Sequence, residues 1–259
     1  MDVHDKVVVL TGAARGIGAA LATRFAAAGA TGLVVSDVDG PGAEKVAAQL
    51  GERAIGVGAD VTDPAQVGEL VAVAEREFGP VDLFCSNAGV AIGEGLDATA
   101  EQWSLAWSVN VQAHVHAARA VLPGMLERGR GYLLNTVSAA GLLTAPGDAP
   151  YSTTKHAALG FAEWLSVTYG ARGIGVSALC PLGVRTDMLL PGIEAKHPSA
   201  LAVAASGELI TPEQVAETVL AGLAEERFLI LPHPEVAKMY AHKAADPDRW
   251  LAGMHKMFG

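Results

Sequence analysis

The stretch Val7-Val8-Val9-Leu10-Thr11-Gly12-Ala13-Ala14-Arg15-Gly16-Ile17-Gly18 joins a short apolar run to a glycine-rich turn. An apolar run of this length is typical of a strand that is buried on both faces of a parallel sheet. The alanine-rich segment from about Ile17 to Ala28 comes next and is followed by Gly29, which indicates a helix with a glycine at its end. We therefore expect a strand, a tight turn and a helix in immediate succession.

The glycines of this turn have the spacing Gly12-x-x-x-Gly16-x-Gly18. Glycines between a strand and a helix let the backbone approach a pyrophosphate, and the N-terminal N–H groups and dipole of the helix favour its negative charge. The alternative is a tight turn whose glycines only allow close packing of strand and helix. The first interpretation predicts a dinucleotide, with Arg15 and Ile17 beside its phosphates.

The same alternation of apolar runs and helical stretches continues along the chain. Further strands are predicted at 33–36, 54–57, 81–85, 132–137, 175–180 and 228–231, and further helices at 42–50, 64–78, 101–127, 151–169 and 211–225. Alternating units of this size predict a doubly wound parallel α/β sheet covered by helices. We see no linker and no repeat, so we expect one domain over 1–259, with an irregular substrate lid around 182–210 and a C-terminal extension at 232–259.

Composition and charge narrow the classes of partner. The chain has 259 residues, is 51% hydrophobic and carries a formal net charge of −10, which argues against nucleic acid or an anionic membrane as its main partner. Its two cysteines, Cys85 and Cys180, both follow apolar runs, so we expect buried thiols in a reducing compartment and neither a disulfide nor a metal site. With no signal peptide and no apolar run long enough to span a membrane, we expect a cytoplasmic protein.

Asp37 lies at the end of the second predicted strand, about 20 residues after the glycines, where a carboxylate hydrogen-bonds the ribose hydroxyls of a dinucleotide. A carboxylate there repels a 2′-phosphate, so Asp37 favours NAD over NADP. Arg15 is an opposing signal, because an arginine beside the phosphate turn is able to bind a 2′-phosphate. NADP therefore stays an alternative, as does a solvated strand end with no ligand.

Small and polar residues follow the third and fourth predicted strands. Asp60 and Val61 follow one strand, and Asn87, Ala88 and Gly89 follow the next. Ligands of open α/β sheets bind outside the carboxyl ends of the strands, so both segments are placed to line one crevice beside adenine and ribose. Ordinary strand-end turns are the alternative.

Tyr151 and Lys155 are four residues apart in a predicted helix, so they lie on one face of it. A cation beside a phenol favours the phenolate, which makes such a tyrosine able to take or give a proton. On its own this spacing is also found on ordinary surface helices.

The order and spacing of these motifs resemble the short-chain dehydrogenase/reductase family. The resemblance is carried by 11–18, 60–61, 87–89, Asn110, Ser138, Tyr151-x-x-x-Lys155 and 181–186, and it covers the chain from about residue 5 to 232. It implies a Rossmann-type doubly wound sheet of about seven strands with helices on both faces. It also implies NAD(P)-dependent oxidation of alcohols or reduction of ketones, with a small-molecule substrate and a homotetramer or homodimer.

The resemblance assigns roles to individual residues. Tyr151 is expected to exchange a proton with the substrate oxygen, and Ser138 to hydrogen-bond that oxygen. Lys155 is expected to lower the pKa of the tyrosine and to hold the nicotinamide ribose together with Tyr151. Asn110 is expected to anchor, through water, a proton path to Lys155.

The segment Pro181-Leu182-Gly183-Val184-Arg185-Thr186 departs from the family pattern, which has glycine where Leu182 stands. Pro181, Val184 and Thr186 are expected to contact the nicotinamide. We expect the Leu182 side chain to enter the substrate side of the pocket and to restrict substrate size.

The leading hypothesis is an NAD-preferring oxidoreductase of a secondary alcohol or ketone with an apolar body. Two alternatives remain open: an NADPH-dependent carbonyl reductase of a biosynthetic pathway, and a non-catalytic dinucleotide-binding sensor of the same fold.

Overall fold

The computed structural model describes residues 1–258 and shows seven parallel strands in one sheet. The strands are β1 Val7–Leu10, β2 Gly32–Asp37, β3 Ala54–Gly58, β4 Leu83–Ser86, β5 Gly131–Thr136, β6 Ile174–Leu179 and β7 Leu229–Ile230. Their spatial order is β3-β2-β1-β4-β5-β6-β7, so the direction of winding reverses between β1 and β4. A crevice forms at such a reversal, outside the carboxyl ends of the strands.

Helices cover both faces of the sheet. They are α1 Gly16–Ala27, α2 Gly40–Leu50, α3 Pro64–Glu77, α4 Ala100–Trp107, α5 Ala113–Arg128, α6 Ala139–Leu142, α7 Ala149–Tyr169, α8 Leu190–Glu194, α9 Pro198–Ser206, α10 Pro212–Ala224, α11 Glu235–Ala245 and α12 Pro247–Phe258. One apolar cluster joins α3, α5 and α7 to the sheet, and the other joins α1, α2 and α10 to it. The predicted doubly wound sheet of about seven strands is thus confirmed.

The strand sequences are continuously apolar because both faces of the sheet are covered by helices, so successive side chains are buried on opposite faces. In β1, Val9 packs in the first cluster and Val8 and Leu10 pack in the second, all three without solvent exposure. Cys85 and Cys180 are also free and buried, as predicted.

Asn110 lies in a π turn, Ser108–Gln112, which separates α4 from α5. We had predicted one uninterrupted helix over 101–127. The Asn110 side chain forms a pair of hydrogen bonds with Val90, accepting from its N–H at 2.9 Å and donating to its carbonyl oxygen at 2.9 Å. A π turn contains one more residue than an α-helical turn, and such turns are frequently found at functional sites.

The predicted lid at 182–210 is less irregular than expected, because it contains the short helices α8 and α9. Pro191 and Pro198 are the cause: each stands in the first positions of a helix, where a missing N–H costs nothing. Thr211 caps α10, as predicted, and shares reciprocal hydrogen bonds with Gln214. Within residues 1–258, no helix has the length and apolar character needed to cross a membrane.

Candidate active site

The glycine turn between β1 and α1 requires glycine for two different reasons. Gly12 and Gly16 have φ of +62° and +57°, which side chains disfavour. A Cβ on Gly12 would lie 2.7 Å from the Cα of Ala88, and a Cβ on Gly18 would collide with the carbonyl oxygen of Gly12. Any larger residue would therefore push the turn away from β4 and out of the crevice.

The N-terminus of α1 suits an anionic ligand. Arg15 precedes the helix in an extended conformation and gives it no side-chain cap, and its first turn has no acidic residue. The N–H groups of that turn, at Gly16, Ile17 and Gly18, therefore have neither a capping side chain nor an acidic residue of the same turn beside them. This arrangement fits the pyrophosphate of a dinucleotide.

Asp37 stands beside this turn at the end of β2. Its Oδ2 accepts a hydrogen bond from Ala14 N–H at 3.1 Å, and its Oδ1 accepts one from Asp39 N–H at 3.0 Å. A carboxylate oxygen can accept two hydrogen bonds, and each oxygen of Asp37 accepts one within the protein. Both oxygens therefore remain able to accept a hydrogen bond from a ribose hydroxyl. Arg15 extends the other way: its Nη1 lies 3.9 Å from Asp187 Oδ2, and both side chains are mostly exposed.

The segment Asn87 to Gly89 also borders the crevice, but the Asn87 side chain is used within the protein. Its Nδ2 donates to the carbonyl oxygens of Thr11 and Gly12 at 3.2 and 3.0 Å, and its Oδ1 accepts from Thr136 at 3.1 Å. We had expected this residue to contact the cofactor. Its amide ties the glycine turn to β5, and its N–H donates to the Thr11 hydroxyl at 3.1 Å. The expected cofactor contact of Asn87 stays a prediction.

Asp60 and Val61 follow β3 on the same edge of the sheet. Asp60 is exposed, and its Oδ1 accepts from the N–H and hydroxyl of Thr62 at 2.9 and 2.8 Å. Val61 is buried, and its carbonyl oxygen is 3.1 Å from Nδ1 of His116. Oδ2 of Asp60 and the N–H of Val61 form no hydrogen bond within residues 1–258 and are available to adenine or ribose.

Lys155 is buried, with 2% of its surface exposed, and its Nζ donates to the carbonyl oxygen of Thr136 at 3.0 Å. If Gly89 carried a Cβ atom, that atom would lie 3.5 Å from Lys155 Nζ and 3.3 Å from Asn110 Oδ1. The backbone of Gly89 is therefore close to both side chains. Burial lowers the pKa of Lys155 to about 8, because the charged ammonium is removed from water. The structure thus brings Lys155 and Asn110 together beside the crevice.

Tyr151 lies one turn before Lys155 on α7, with Nζ 5.5 Å from the centre of its ring. The prediction that Tyr151 and Lys155 lie on the same face of one helix is therefore confirmed. Burial raises the pKa of Tyr151 above its usual value, and the nearby hydroxyl of Ser138 partly opposes this rise. We had expected Lys155 to lower the pKa of Tyr151. In the protein alone burial has the largest effect on this pKa, and the charge of Asp148 raises it further.

Asp148 positions the start of α7 and was missed by the sequence reasoning. It is 3% exposed; its Oδ1 accepts from Tyr151 N–H at 2.9 Å, and its Oδ2 accepts from Ile92 and Gly93 N–H at 3.0 and 2.6 Å. The helix bearing Tyr151 is thereby joined to the loop after β4. An aspartate three residues before a predicted helical tyrosine was an available N-cap signal.

The segment 181–186 reaches both ends of the candidate site. The carbonyl oxygen of Pro181 accepts from Ala139 N–H at 2.8 Å, next to Ser138. At the other end, the methyl group of Thr186 would lie 3.4 Å from a Cβ on Gly16, beside the glycine turn. Val184 is buried between them and pairs with Ile210. This placement agrees with the expected nicotinamide contacts, which stay a prediction.

Leu182 does not project freely into the substrate side as we expected. It is half-buried and packs with the apolar cluster that includes Val236 of α11. Its Cδ2 would lie 3.1 Å from a Cβ on Gly207, at the end of the lid. The side chain is therefore part of the wall between the lid and the C-terminal extension.

Comparisons with known proteins agree with this geometry. Residues 6–195 match the family model of the short chain dehydrogenases. The chain is 38% identical over 243 residues to 1-deoxy-11-beta-hydroxypentalenate dehydrogenase of Streptomyces exfoliatus, covering 91% of this chain and 86% of that protein. It is 30% identical to D-beta-hydroxybutyrate dehydrogenase of Rhizobium meliloti, covering 96% and 95%.

A solved structure is similar over nearly the whole length. A short-chain dehydrogenase/reductase of Burkholderia phymatum, in complex with NAD, superposes with a TM-score of 0.85 at 33% identity and covers 96% of both chains. The family model, the dehydrogenase relatives and this likeness agree with the seven-stranded doubly wound fold. The chain therefore belongs to the short-chain dehydrogenase/reductase family and is an NAD(P)-dependent oxidoreductase of alcohols and ketones.

Proposed function

We propose that this enzyme prefers NAD and interconverts a secondary alcohol and a ketone with an apolar body, with Tyr151 as the acid/base. The observation that carries the proposal is the position of Tyr151 one helical turn from the buried Lys155, whose Nζ lies 5.5 Å from the centre of the Tyr151 ring. The Ser138 hydroxyl lies near enough to lower the pKa of the Tyr151 phenol. Three polar side chains with distinct chemistry meet beside the turn that fits a pyrophosphate.

The chain's own residues supply the proton chemistry. A bound nicotinamide supplies only a hydride acceptor or donor. During oxidation Tyr151 removes the proton of the alcohol while Ser138 holds the same oxygen, and during reduction Tyr151 returns that proton. The Lys155 ammonium stabilises the negative charge of the phenolate in this step. The carbonyl oxygen of Thr136 holds the Lys155 ammonium in place.

A panel of secondary hydroxy compounds, followed by nicotinamide absorbance, tests the reaction. Turnover of apolar members is expected, since Met188 and Leu190 expose 50% and 37% of their surface on the segment after Thr186. A protein that binds NAD and turns over no member of a broad panel would instead support the non-catalytic sensor.

Asp37 is proposed to set the preference for NAD. Asp37→Ala is expected to weaken NADH binding by about tenfold, because a hydrogen bond to a charged group is lost. NADPH binding is expected to strengthen several-fold, because repulsion of the 2′-phosphate is removed. Titration calorimetry with both cofactors measures the two dissociation constants.

Asp37→Asn is the matched variant, since it removes the charge and keeps an acceptor for Ala14 N–H. The gain for NADPH should appear in both variants if charge is the cause. Tighter binding of NADPH than of NADH by the unmodified enzyme would contradict the proposal. In that case Arg15→Ala should weaken NADPH binding, as the biosynthetic reductase alternative requires.

We further propose one dinucleotide-binding domain with a lid at 182–210 and an extension at 232–259, acting as a homodimer or homotetramer in the cytoplasm. The two buried free thiols support a reducing compartment. Light scattering after size-exclusion chromatography measures the assembly.

A further inference from the structure

The C-terminal extension carries two polar side chains, His233 and Lys243, that the proposed reaction does not use. His233 is 1% exposed, and Lys243 is half-buried. Both donate hydrogen bonds to the backbone of loops that border the candidate active site. Buried or half-buried polar groups on an extension call for a structural or functional cause.

His233 holds three backbone groups at once. Its Nδ1 accepts from Leu182 N–H at 3.1 Å, and its Nε2 lies 3.1 Å from the carbonyl oxygen of Gly183 and 3.2 Å from that of Glu208. Since Nδ1 accepts, the proton is on Nε2, which donates to both carbonyls. One ring therefore joins the nicotinamide-side segment 181–186 to the end of the lid.

The sequence around His233 makes this ring a rigid connection. His233 lies between Pro232 and Pro234, and the fixed φ angles of these prolines restrict the backbone on both sides of it. The helix α11 begins immediately afterwards, and its Val236 is fully buried in the apolar cluster that Leu182 joins. The position of His233 is thus fixed from the extension rather than from the loop it holds.

Lys243 holds the segment that carries Ser138. Its Nζ donates to the carbonyl oxygens of Leu142 and Leu143 at 2.9 and 2.7 Å, at the end of α6. The same Nζ lies 5.1 Å from the centre of the Trp250 ring on α12, a cation–π distance. Ser138 caps the start of α6 by accepting from Ala140 N–H at 3.1 Å, so Ser138 and Lys243 hold opposite ends of one short helix.

We propose that His233 and Lys243 are positioning residues of the active site. His233 sets the segment 181–186 for the nicotinamide, and Lys243 sets the Ser138 hydroxyl for the substrate oxygen and Tyr151. The inference rests on the proposed roles of those two elements. It predicts two separable defects: loss of His233 weakens cofactor binding, and loss of Lys243 slows proton transfer.

His233→Ala is expected to raise the dissociation constant of NADH by about tenfold, because Leu182 N–H and the Glu208 carbonyl oxygen lose their partner and the segment shifts, while the Gly183 carbonyl oxygen keeps only Ile210 N–H. The turnover number at saturating NADH should fall by less than about threefold. His233→Gln keeps one acceptor and one donor, and should restore NADH binding to within about threefold of the unmodified enzyme. If His233→Ala does not fold, NADH binding by His233→Gln is measured in its place. His242→Ala, at an exposed position of α11, is the matched control.

Lys243→Met is expected to lower the turnover number by about tenfold or more while NADH binding changes less than about twofold, because the displaced group is the Ser138 hydroxyl. The Ser138 hydroxyl opposes the rise in the pKa of Tyr151. Its displacement should therefore move the part of the oxidation pH profile that reports the tyrosine to higher pH. Lys243→Arg should restore both. Lys238→Met, at an exposed position of the same helix, should leave both unchanged.

Hydrogen exchange makes the Lys243 result independent of the proposed function. The amides of Gly141 and Leu143 donate within α6, and they should exchange about tenfold faster in Lys243→Met even without turnover. Unchanged exchange and unchanged turnover would overturn the role of Lys243. If His233→Ala and Lys243→Met both lose stability, NADH binding and turnover to a similar extent, the two residues only stabilise the fold, and the proposal is overturned. If the unmodified enzyme turns over nothing, the proposed function fails while the NADH and exchange readouts still decide the inference.

Discussion

Tyr151→Phe is expected to reduce kcat/KM by about 1000-fold, the largest effect of any single substitution in this protein. The variant keeps the ring, its burial and its packing, and removes only the phenolic oxygen that exchanges a proton with the substrate. Ser138 keeps its hydrogen bond with Ala140 N–H, so the surrounding loop has no reason to move. Initial rates of nicotinamide reduction with an active alcohol measure the loss.

The control for this substitution lies on the same helix. Tyr169 is half-buried near the end of α7 and packs edge-on against Trp164, so Tyr169→Phe should retain full activity. Both variants should bind NADH and unfold at the temperature of the unmodified enzyme. A Tyr151→Phe variant with normal turnover would refute the assignment of the acid/base.

Lys155→Met is expected to lower kcat/KM for ketone reduction by about 100-fold or more at pH 7, since a buried charge that stabilises the phenolate is removed. The pH profile provides a second signature. Because burial lowers the pKa of Lys155 to about 8, the ammonium is lost as pH rises through about 8, far below the usual value for lysine. Burial raises the pKa of Tyr151, so the phenol stays protonated in this range.

Reduction by the unmodified enzyme should therefore be constant below pH 8 and decrease above it. The decrease should be absent in Lys155→Met, whose low activity no longer depends on a titrating ammonium. Lys238→Met, which changes an exposed lysine, should show the profile of the unmodified enzyme. A decrease near pH 8 that persists in Lys155→Met would assign the titration to another group.

Local sequence pattern was sufficient to predict the main strands and helices and the shared face of Tyr151 and Lys155. Val8, Val9 and Leu10 predict a doubly buried strand because no solvent-facing position interrupts them. The i, i+4 spacing of Tyr151 and Lys155 places both on one face of α7, as the 5.5 Å separation confirms. These predictions succeed because they depend on neighbours in the chain.

Predictions that depend on distant partners were less complete. Asn87 follows β4 as predicted, yet its amide is used by Thr11, Gly12 and Thr136, up to 76 residues away. Lys155 was expected to lower the pKa of Tyr151, but the low polarity created by packing raises it. Desolvation comes from residues all over the chain, so no local motif reports it.

The sequence by itself determined the doubly wound sheet and the family, because periodicity encodes the first and the order and spacing of motifs encode the second. The glycine turn and the residues proposed for the proton chemistry follow from the same motifs and from the family resemblance. Tertiary structure alone decided how those residues are held. Asp148 joins α7 to the loop after β4, His233 holds the segment of Leu182 from 51 residues away, and Lys243 holds α6 from about 100 residues away. Such contacts form only when the chain folds, since their partners are close in space and remote in sequence.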